Sequence, residues 1–413
     1  MKKTISNLLI MTLLVSCVSL AILPLVAAGI SIPGDADEND ELTEGELADA
    51  ILSHVYEREE HLELDELRDA AHVYVRWKGK PKTIVDAMNR TVTIYKPVKT
   101  MVVLTYPVAE AIKIVKAESG VVGVSDGHIL PKTAFFPILS ELPDVGTPPN
   151  PDKEEILKLN PDIIFTGRIL GGNDGLEDNL PAKIALVRWD MGRLERITAN
   201  VNHVGYLLDK EDKAKEFCDF YEKYIDETIK QRVSKIPEED KVRVYIEMEG
   251  HQGGNMAFAN GSSGHEICVA AGGINIAADL PLYGAPIVRV EKEWLMKEGP
   301  EVIIIVVTGR PDLCGYEVDD PKEMKELWED AVKRPGWENL SAVRNNRVYL
   351  IHKDLVGSTA NFIGATYVAK WLYPEKFSDL NPKAVHQEYL TNFQRLNYNL
   401  DEHGVFVYHK EDS

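Results

Sequence analysis

The sequence predicts an α/β protein with two Rossmann-like lobes, whose mostly parallel sheets are bridged by one long helix, preceded by a small helical N-terminal module with a calcium loop. Short apolar runs alternate with amphipathic stretches from Thr83 onward, which is typical of parallel strands covered by helices. One long helical pattern interrupts this series, and a second series follows it. The 413 residues exceed the size at which a single core stops growing, so separate cores are expected.

Composition indicates a folded protein that does not bind nucleic acid. Hydrophobic residues make up 44% of the chain and charged residues 27%, which supplies enough apolar surface to offset the entropy of an ordered chain. The formal net charge is -20, whereas binding to phosphate backbones requires clustered Lys and Arg. Nucleic acid and anionic membrane surfaces are therefore excluded as expected partners.

The N-terminus carries the pattern of an export signal. Two lysines follow the initiating methionine, and a mostly apolar run then covers residues 8–32. We expect residues 1–28 to be a signal peptide or, because the run is long enough to cross a bilayer, a retained membrane anchor. Cys17 lies in a lipoprotein-like processing box, so a lipid on this residue is the third alternative. In each case the body is exported, to the periplasm or the outer face of the cytoplasmic membrane.

Residues 33–78 form a small acidic module that begins with the spacing of an EF-hand loop. Oxygen ligands stand at positions one, three, five, seven, nine and twelve, as calcium requires, with the seventh acting through its backbone carbonyl. The predicted calcium ligands are Asp35, Asp37, Asn39, Glu41, Thr43 and Glu46. Asp40 replaces the usual glycine at position six, which predicts weak binding. The segment resembles a dockerin or half EF-hand, and a solvated acidic linker is the alternative.

The remaining chain is divided into two lobes and a connection. We assign residues 83–190 to the N-terminal lobe, residues 191–237 to connecting helices that include the long bridging helix, and residues 240–413 to the C-terminal lobe. Thr91–Ile94 is the first strand predicted for the parallel sheet of the N-terminal lobe. The bridging helix is predicted to begin behind a cap at Asp209.

Three sequence elements, in order, carry a resemblance to a known family. Val145 and Gly146 precede a helix-and-strand element over residues 152–164, residues 270–276 form the second marker, and residues 290–304 mirror the first in the C-terminal lobe. With one long helix among them, these elements resemble the solute-binding proteins of iron-siderophore, haem and cobalamin importers. The resemblance covers about residues 83–393 and implies two lobes that face each other across a cleft.

The resemblance implies an extracytoplasmic solute-binding protein of an ABC importer, which captures an iron(III) chelate of the siderophore type and delivers it to the permease dimer. Such a receptor is expected to be a monomer and not an enzyme. A corrinoid, haem or a molybdate or tungstate oxyanion is the alternative ligand, although Pro148 and Ile287 stand where the cobalamin receptor carries Trp. A cell-surface protein that docks a partner through its calcium module is the second alternative.

Two motifs of enzymes are absent from the sequence. It contains no phosphate-binding loop with Gly-Lys-Ser/Thr and no His-Glu-x-x-His helix. Beyond Cys17, the cysteines are Cys218, Cys268 and Cys314, an odd number without metal-type spacing. We expect these three to be small buried hydrophobic residues.

Ligand-binding residues are expected in the loops after apolar strands, because the carboxyl ends of parallel strands surround the crevice of such sheets. The predicted set is Tyr106, His128, Arg168, Trp189, His251, Tyr283 and Arg310. Aromatic rings suit the apolar part of a chelate, and arginines suit its negative charge. Arg168 and Arg310 are predicted to clamp a small anionic metal chelate, unless each pairs with a nearby carboxylate. His128 and His251 are candidates for direct metal coordination, although no ligand set with zinc-like spacing surrounds them.

Two acidic residues are singled out by resemblance rather than by chemistry. Glu154 and Glu293 match the paired carboxylates with which receptors of this family dock arginine pockets on the permease. A carboxylate in a first helical turn also complements the helix dipole, so either position alone would carry little information. Their matched placement in the two lobes supports the docking role.

Overall fold

The structure is a computed structural model that describes residues 31–125, 127, 129–168, 175–190, 192–249, 255–282, 284–308, 310 and 312–410. The chain divides into two compact units, with the boundary between Thr83 and Ile84. None of the helices in the described part combines the length and hydropathy needed to cross a bilayer. The predicted export segment and Cys17 lie outside the described residues.

The first unit consists of the acidic loop and two helices, α1 Glu44–Val55 and α2 Leu64–Trp77. A capping box fixes the start of α1, because the Thr43 hydroxyl receives the Glu46 amide while the Glu46 carboxylate receives the Thr43 amide. Leu42 is buried beside Gly79, whose carbonyl accepts the Leu42 amide at 2.7 Å. A Cβ at Gly79 would lie 2.4 Å from the Leu42 carbonyl oxygen, so this close approach requires glycine.

The N-terminal lobe is built on a four-stranded parallel sheet. In chain order its strands and helices are β1 Lys82–Val85, β2 Thr91–Ile94, β3 Met101–Val103, α3 Tyr106–Ile114, β4 Val121–Val124, β5 Gly146–Thr147, β6 Asn150–Pro151, α4 Lys153–Leu159, β7 Ile163–Gly167, α5 Leu176–Asn179 and β8 Ala185–Trp189. The parallel sheet has the order β4-β3-β7-β8. The prediction that β2 belongs to it is wrong. Only Ile94 of β2 is buried, and the strand pairs with β1 in a separate sheet, as a surface strand does.

The connection between the lobes contains the predicted long helix in a modified form. It comprises α6 Ile197–Leu207, α7 Glu211–Glu222, a π-helical segment Lys223–Lys230 and α8 Gln231–Val233. In the π-helical segment the Thr228 hydroxyl donates to the Lys223 carbonyl at 2.7 Å, which suits the wider turn. Asp209 does not cap the helix as predicted, because it adopts a left-handed conformation with φ 55° and the cap position falls on Lys210.

The C-terminal lobe repeats the design with a mixed sheet. Its elements are β9 Arg243–Met248, β10 Met256–Phe258, α9 Ser263–Ala270, β11 Ile274–Asn275, β12 Ile287–Arg289, α10 Lys292–Glu298, β13 Val302–Val307, α11 Lys322–Val332, α12 Ser341–Arg344, β14 Val348–His352, α13 Asn361–Leu372, α14 Pro382–Asn392 and β15 Val407–Tyr408. The sheet order is β12-β10-β9-β13-β14-β15, with β11 beside β9. The parallel core of β9, β13 and β14 is almost completely buried, as expected for strands covered on both faces.

Parallel strands determine where a ligand can bind. The carboxyl ends of β3, β4, β7 and β8 meet at one edge of the N-terminal sheet, and those of β9, β13 and β14 meet at one edge of the C-terminal sheet. Loops after these strands therefore supply the side chains of a cleft. The two-lobed α/β class predicted from the sequence is confirmed.

Candidate ligand-binding cleft

A cavity with a volume of about 260 Å³ lies between loops of the two lobes. The N-terminal lobe contributes three lining residues from the segment after β4, and the C-terminal lobe contributes residues that end or follow β13 and β14. The lining residues are Gly127, Pro131, Lys132, Val307, Arg310, Cys314, Gly315, Tyr316, Glu317, His352 and Lys353. The cavity thus occupies the position that the strand topology predicts for a ligand.

The charges in the cavity wall favour an anion. Lys132, Arg310 and Lys353 are cationic, whereas Glu317 is the single carboxylate among the described lining residues. Glu317 is also engaged by the N-terminal lobe, since its carboxylate accepts the Ala134 amide at 2.8 Å. Arg310 is 45% exposed and lies 3.6 Å from Asp312, a loose surface pair that leaves its guanidinium accessible to a ligand.

His352 stands at the carboxyl end of β14 and faces this cavity. The residue is 6% exposed, and its Nδ1 has no hydrogen-bond partner. Burial lowers the pKa of His352 to about 4, even though the Asp354 carboxylate at 3.7 Å favours the protonated form. The imidazole is therefore neutral at pH 7 and offers a hydrogen-bonding nitrogen. His352 is not in the ligand-binding set predicted from the sequence, because it is the last residue of a strand rather than part of the loop that follows it.

A buried ion pair joins the two lobes beside the cavity. The Lys132 ammonium, from the N-terminal lobe, donates to the Asp354 carboxylate, from the segment after β14. It also lies 4.7 Å from the centre of the Tyr106 ring, within range of a cation–π contact. Burial alone would raise the pKa of Asp354, but His352, Lys132 and Lys353 together lower it to about 2. Asp354 is thus a carboxylate ion at every physiological pH.

Glu110 continues this polar network into the lobe interface. It lies on α3, is 2% exposed, and accepts the Thr359 amide of the C-terminal lobe at 3.0 Å. The Tyr389 hydroxyl of α14 donates to Glu110 at 3.4 Å. Burial, reinforced by the Asp354 carboxylate, raises the pKa of Glu110 to about 8. This carboxyl group is therefore protonated at neutral pH, so it links the two lobes without adding a second buried charge.

Tyr106 and Arg310 are the described members of the predicted ligand-binding set that lie at or beside the cavity. Arg310 belongs to its wall. Tyr106 starts α3 and packs under Lys132, so it supports the cavity wall rather than lining it. Burial, together with the charge of Asp354, raises the pKa of Tyr106 well above its ordinary value, which keeps the phenol protonated.

Two other predicted ligand-binding residues do not line the cavity. Trp189 is 2% exposed and its ring stacks on Phe165 at 4.9 Å inside the lobe, so its role as a ring platform for the ligand stays a prediction. An aromatic residue that ends a parallel strand can pack inward when its neighbour strand offers another ring. Arg168 is 42% exposed and lies 3.9 Å from Asp190, outside the described cavity wall. Of the two arginines in the predicted clamp, Arg310 lines the described cavity, and the role of Arg168 stays a prediction. His128, His251 and Tyr283 lie outside the described residues.

Glu154 and Glu293 occupy equivalent exposed positions in the two lobes. Glu154 lies in the first turn of α4 and Glu293 in the first turn of α10, and both side chains face solvent. The caps differ, since the Asp152 side chain accepts the Glu155 amide whereas Glu291 makes no side-chain cap. Both carboxylates are accessible to a protein partner.

The acidic loop of the first unit brings its predicted ligands together. Oxygen atoms of Asp35, Asp37 and Glu46 all lie within 4.8 Å of one another. Oxygens bound to one calcium ion at about 2.4 Å are at most about 4.8 Å apart, so these three fit a common ion. Asp40 adopts φ 64°, the left-handed turn for which glycine is usual at the sixth position.

The hydrogen bonds of the loop show how it is held. Asp35 is buried and accepts the amides of Asn39 and Asp40 at 3.3 and 2.9 Å. The Thr43 hydroxyl donates to Glu46 at 2.7 Å. Burial raises the pKa of Asp35, whereas hydrogen bonds from Thr43 lower that of Glu46. Two of the predicted side-chain ligands, Thr43 and Glu46, are thus preorganised by bonding to each other.

A profile described as periplasmic binding protein matches residues 101–355, more than half of the chain. The chain is 23% identical over 308 residues to the uncharacterized ABC transporter substrate-binding lipoprotein YvrC of Bacillus subtilis, covering 72% of this chain and 88% of that protein. It is 22% identical over 223 residues to the high-affinity heme uptake system protein IsdE of Staphylococcus aureus, covering 54% of this chain and 70% of that protein.

Solved structures share the two-lobed fold. The TroA-like periplasmic binding protein FepB from Veillonella parvula has a TM-score of 0.64 and 26% identity, over 80% of this chain and 99% of that chain. The Haemophilus influenzae periplasmic binding protein MolA, bound to molybdate, has a TM-score of 0.62 and 18% identity, over 77% of this chain and 99% of that chain. These relatives are substrate-binding proteins of transporters, not enzymes.

The wild type should lose stability as the pH rises from about 6.5 to 8, and Glu110→Gln should not show this loss. Folded Glu110 keeps its proton up to about pH 8, whereas the unfolded residue ionises near 4.5, so the free energy of unfolding falls as pH rises through this window. Neutral His352 and His386, with pKa values of about 4 and about 3, oppose this trend only below their ordinary value of 6.5. We expect the free energy of unfolding of the wild type to fall by up to about 2 kcal/mol across this window, because one shifted proton contributes about 1.4 kcal/mol per pH unit.

Denaturant unfolding of both proteins at several pH values measures this difference. Glu141→Gln, at an exposed position in the same lobe, serves as the control and should keep the wild-type slope. Equal slopes in the wild type and Glu110→Gln would contradict the assignment of a protonated Glu110.

Proposed function

Because the chain belongs to the periplasmic binding protein family and is the solute-binding protein of an ABC importer, we propose that its cleft captures an anionic iron(III) chelate of the siderophore type. The protein then delivers this ligand to the permease dimer from outside the cytoplasmic membrane. The observation that carries the proposal is the cavity wall, in which Lys132, Arg310 and Lys353 outnumber the carboxylate of Glu317. Cations in a recessed site attract an anion far more than the same charges on an open surface.

Other anions remain alternative ligands of the same cleft. The relative IsdE is named for heme uptake, and MolA binds molybdate. Haem carries negative propionate groups and molybdate is an oxyanion, so both complement the positive charge of the cavity wall. A corrinoid complements this charge less well. The neutral imidazole of His352 offers a hydrogen bond to any of these ligands, or a nitrogen for metal coordination.

A second function is favoured by the surface of the first unit. Four large apolar side chains on one stripe of α1 and its end, Ile51, Leu52, Val55 and Tyr56, are 43%, 42%, 64% and 69% exposed. Helix α1 contains no buried residue, which is unusual for a helix with this many apolar side chains. This face supports the alternative of a cell-surface protein that docks a partner through its calcium module. The ligand titrations described below separate the two, because a docking protein need not bind a chelate.

The wild type should bind a ferric tris-catecholate chelate tightly, and Arg310→Ala should weaken this binding about tenfold or more. A charge-assisted hydrogen bond from a partly shielded guanidinium contributes about 1.5 to 3 kcal/mol, and that contribution is lost with the side chain. Calorimetry with ferric tris-catecholate, haem, molybdate and a corrinoid identifies the ligand class.

Arg344→Ala is the control for Arg310→Ala. It removes an exposed arginine of the same lobe that is outside the described cavity wall and should change affinity little. Unchanged affinity of Arg310→Ala for every anionic ligand that the wild type binds would contradict an anion-binding cleft.

Glu154→Ala and Glu293→Ala should leave ligand affinity unchanged but reduce uptake through the cognate permease. Both carboxylates are exposed on the first turn of a helix, where they can act on a partner without touching the cavity. Transport assays with the reconstituted permease, combined with calorimetry on the isolated receptor, measure the two effects separately. Lys158→Ala in the same helix as Glu154 is the control. Weaker ligand binding by either Glu variant would show that the docking role is wrong.

The acidic loop should bind calcium with a dissociation constant of about 10⁻⁴ to 10⁻³ M, independently of the cleft. The convergence of Asp35, Asp37 and Glu46 supports the site, and the left-handed Asp40 favours the weak end of the range. Asp35→Ala combined with Glu46→Gln removes two ligands, one of them the residue expected to bind through both oxygens. Calorimetry should then show calcium binding by the wild type and none by the double variant. Equal calcium heats in both proteins would leave the loop as an acidic linker.

A further inference from the structure

We propose that Lys132 is the anchor by which the N-terminal lobe holds the ligand's negative charge, and that Asp354 is a built-in competitor which lowers the cleft's affinity for anions. The inference rests on the proposed function, since it requires an anionic ligand in the cleft. In this proposal Lys132, on the segment after β4, supplies the cation that the N-terminal lobe contributes to the clamp.

Geometry places Lys132 where both roles are available. Its side chain lines the cavity and is 20% exposed, so part of the ammonium faces the ligand site. Among the described lining residues, it is the one charged group that the N-terminal lobe contributes. Arg310 and Lys353 line the cavity from the C-terminal lobe, so an anion between them and Lys132 contacts both lobes.

Asp354 restrains Lys132 from the other lobe. Its side chain is 5% exposed and pairs with the ammonium through Oδ2. An ammonium has three N–H donors, so one can stay with Asp354 while another reaches a ligand oxygen. The carboxylate nevertheless cancels most of the field that Lys132 would exert on an anion, because both groups lie in a poorly screened site.

Further contacts support the two residues of the ion pair. The Tyr106 ring lies under the ammonium at 4.7 Å, and the Lys132 carbonyl accepts the Phe136 amide at 2.7 Å. On the opposite side, the Asp354 carbonyl accepts the Ser358 hydroxyl at 2.6 Å. These contacts keep both residues of the ion pair beside the cavity.

The two residues should affect binding in opposite directions. Lys132→Met removes the anchor and should weaken binding of ferric tris-catecholate about tenfold or more. Asp354→Asn removes the competitor and should strengthen it several-fold. A purely structural ion pair predicts instead that both changes weaken binding, because each breaks the same link between the lobes.

Calorimetry on the full chain uses two probes, anionic ferric tris-catecholate and neutral ferric tris-hydroxamate. It measures the ratio of the affinity for the tris-catecholate to the affinity for the tris-hydroxamate. The expected result is a lower ratio for Lys132→Met, a higher ratio for Asp354→Asn and a ratio near that of the wild type for Lys132→Arg. Asp354→Ser provides a second neutral replacement if Asp354→Asn does not fold.

Different failures have different meanings. Suppose that the wild type binds the tris-catecholate. If the affinity ratio of Lys132→Met then equals that of the wild type, or if the ratio falls in both neutral variants of Asp354, the proposal is overturned while the proposed function stands. If the wild type does not bind the tris-catecholate, the proposed ligand class fails, and the proposal fails with it.

Discussion

The arrangement of the lobes depends on ionisable groups that are buried between them. An isolated buried charge costs several kcal/mol, so Lys132 and Asp354 can stay in the interface only while they remain paired. Glu110 avoids the same cost by keeping its proton and accepting the Thr359 amide. These requirements fix which loops face each other, and they thereby fix the cavity beside the ion pair. Apolar packing alone would permit the two lobes to slide past each other, whereas directional polar contacts fix one position of one lobe relative to the other.

Electrostatics explain how a strongly acidic protein can offer a site that suits the anionic ligand proposed here. The net charge of -20 is spread over the whole chain, while the cavity wall carries three cations and one carboxylate. Charges that line a recess act at short range through a medium that screens poorly, whereas distant surface carboxylates are screened by salt within about 10 Å. The cations of the cavity wall, partly offset by Asp354 beside Lys132, therefore act on a ligand in the cavity more strongly than the distant carboxylates do. The neutral state of His352 adds a hydrogen-bonding group without changing that balance.

Much of the fold follows from periodic patterns, which are local. The long connecting helix appears where its pattern predicts it, although a π-helical segment widens it. Local rules failed where a tertiary contact decided the outcome. Trp189 follows an apolar strand as a ligand platform would, but stacking on Phe165 turns it inward. Lys132 and Asp354 are 222 residues apart, so no spacing rule brings them together.

We propose above all that a single anionic ligand binds between the lobes, at the wall formed by Lys132, Arg310 and His352. Hydrogen exchange of the backbone amides, with and without ferric tris-catecholate, tests this claim directly. We predict slower exchange on binding in both walls at once, in residues 129–136 of the N-terminal lobe and residues 312–317 and 352–355 of the C-terminal lobe. Protection confined to one lobe, or centred away from these segments, would contradict it.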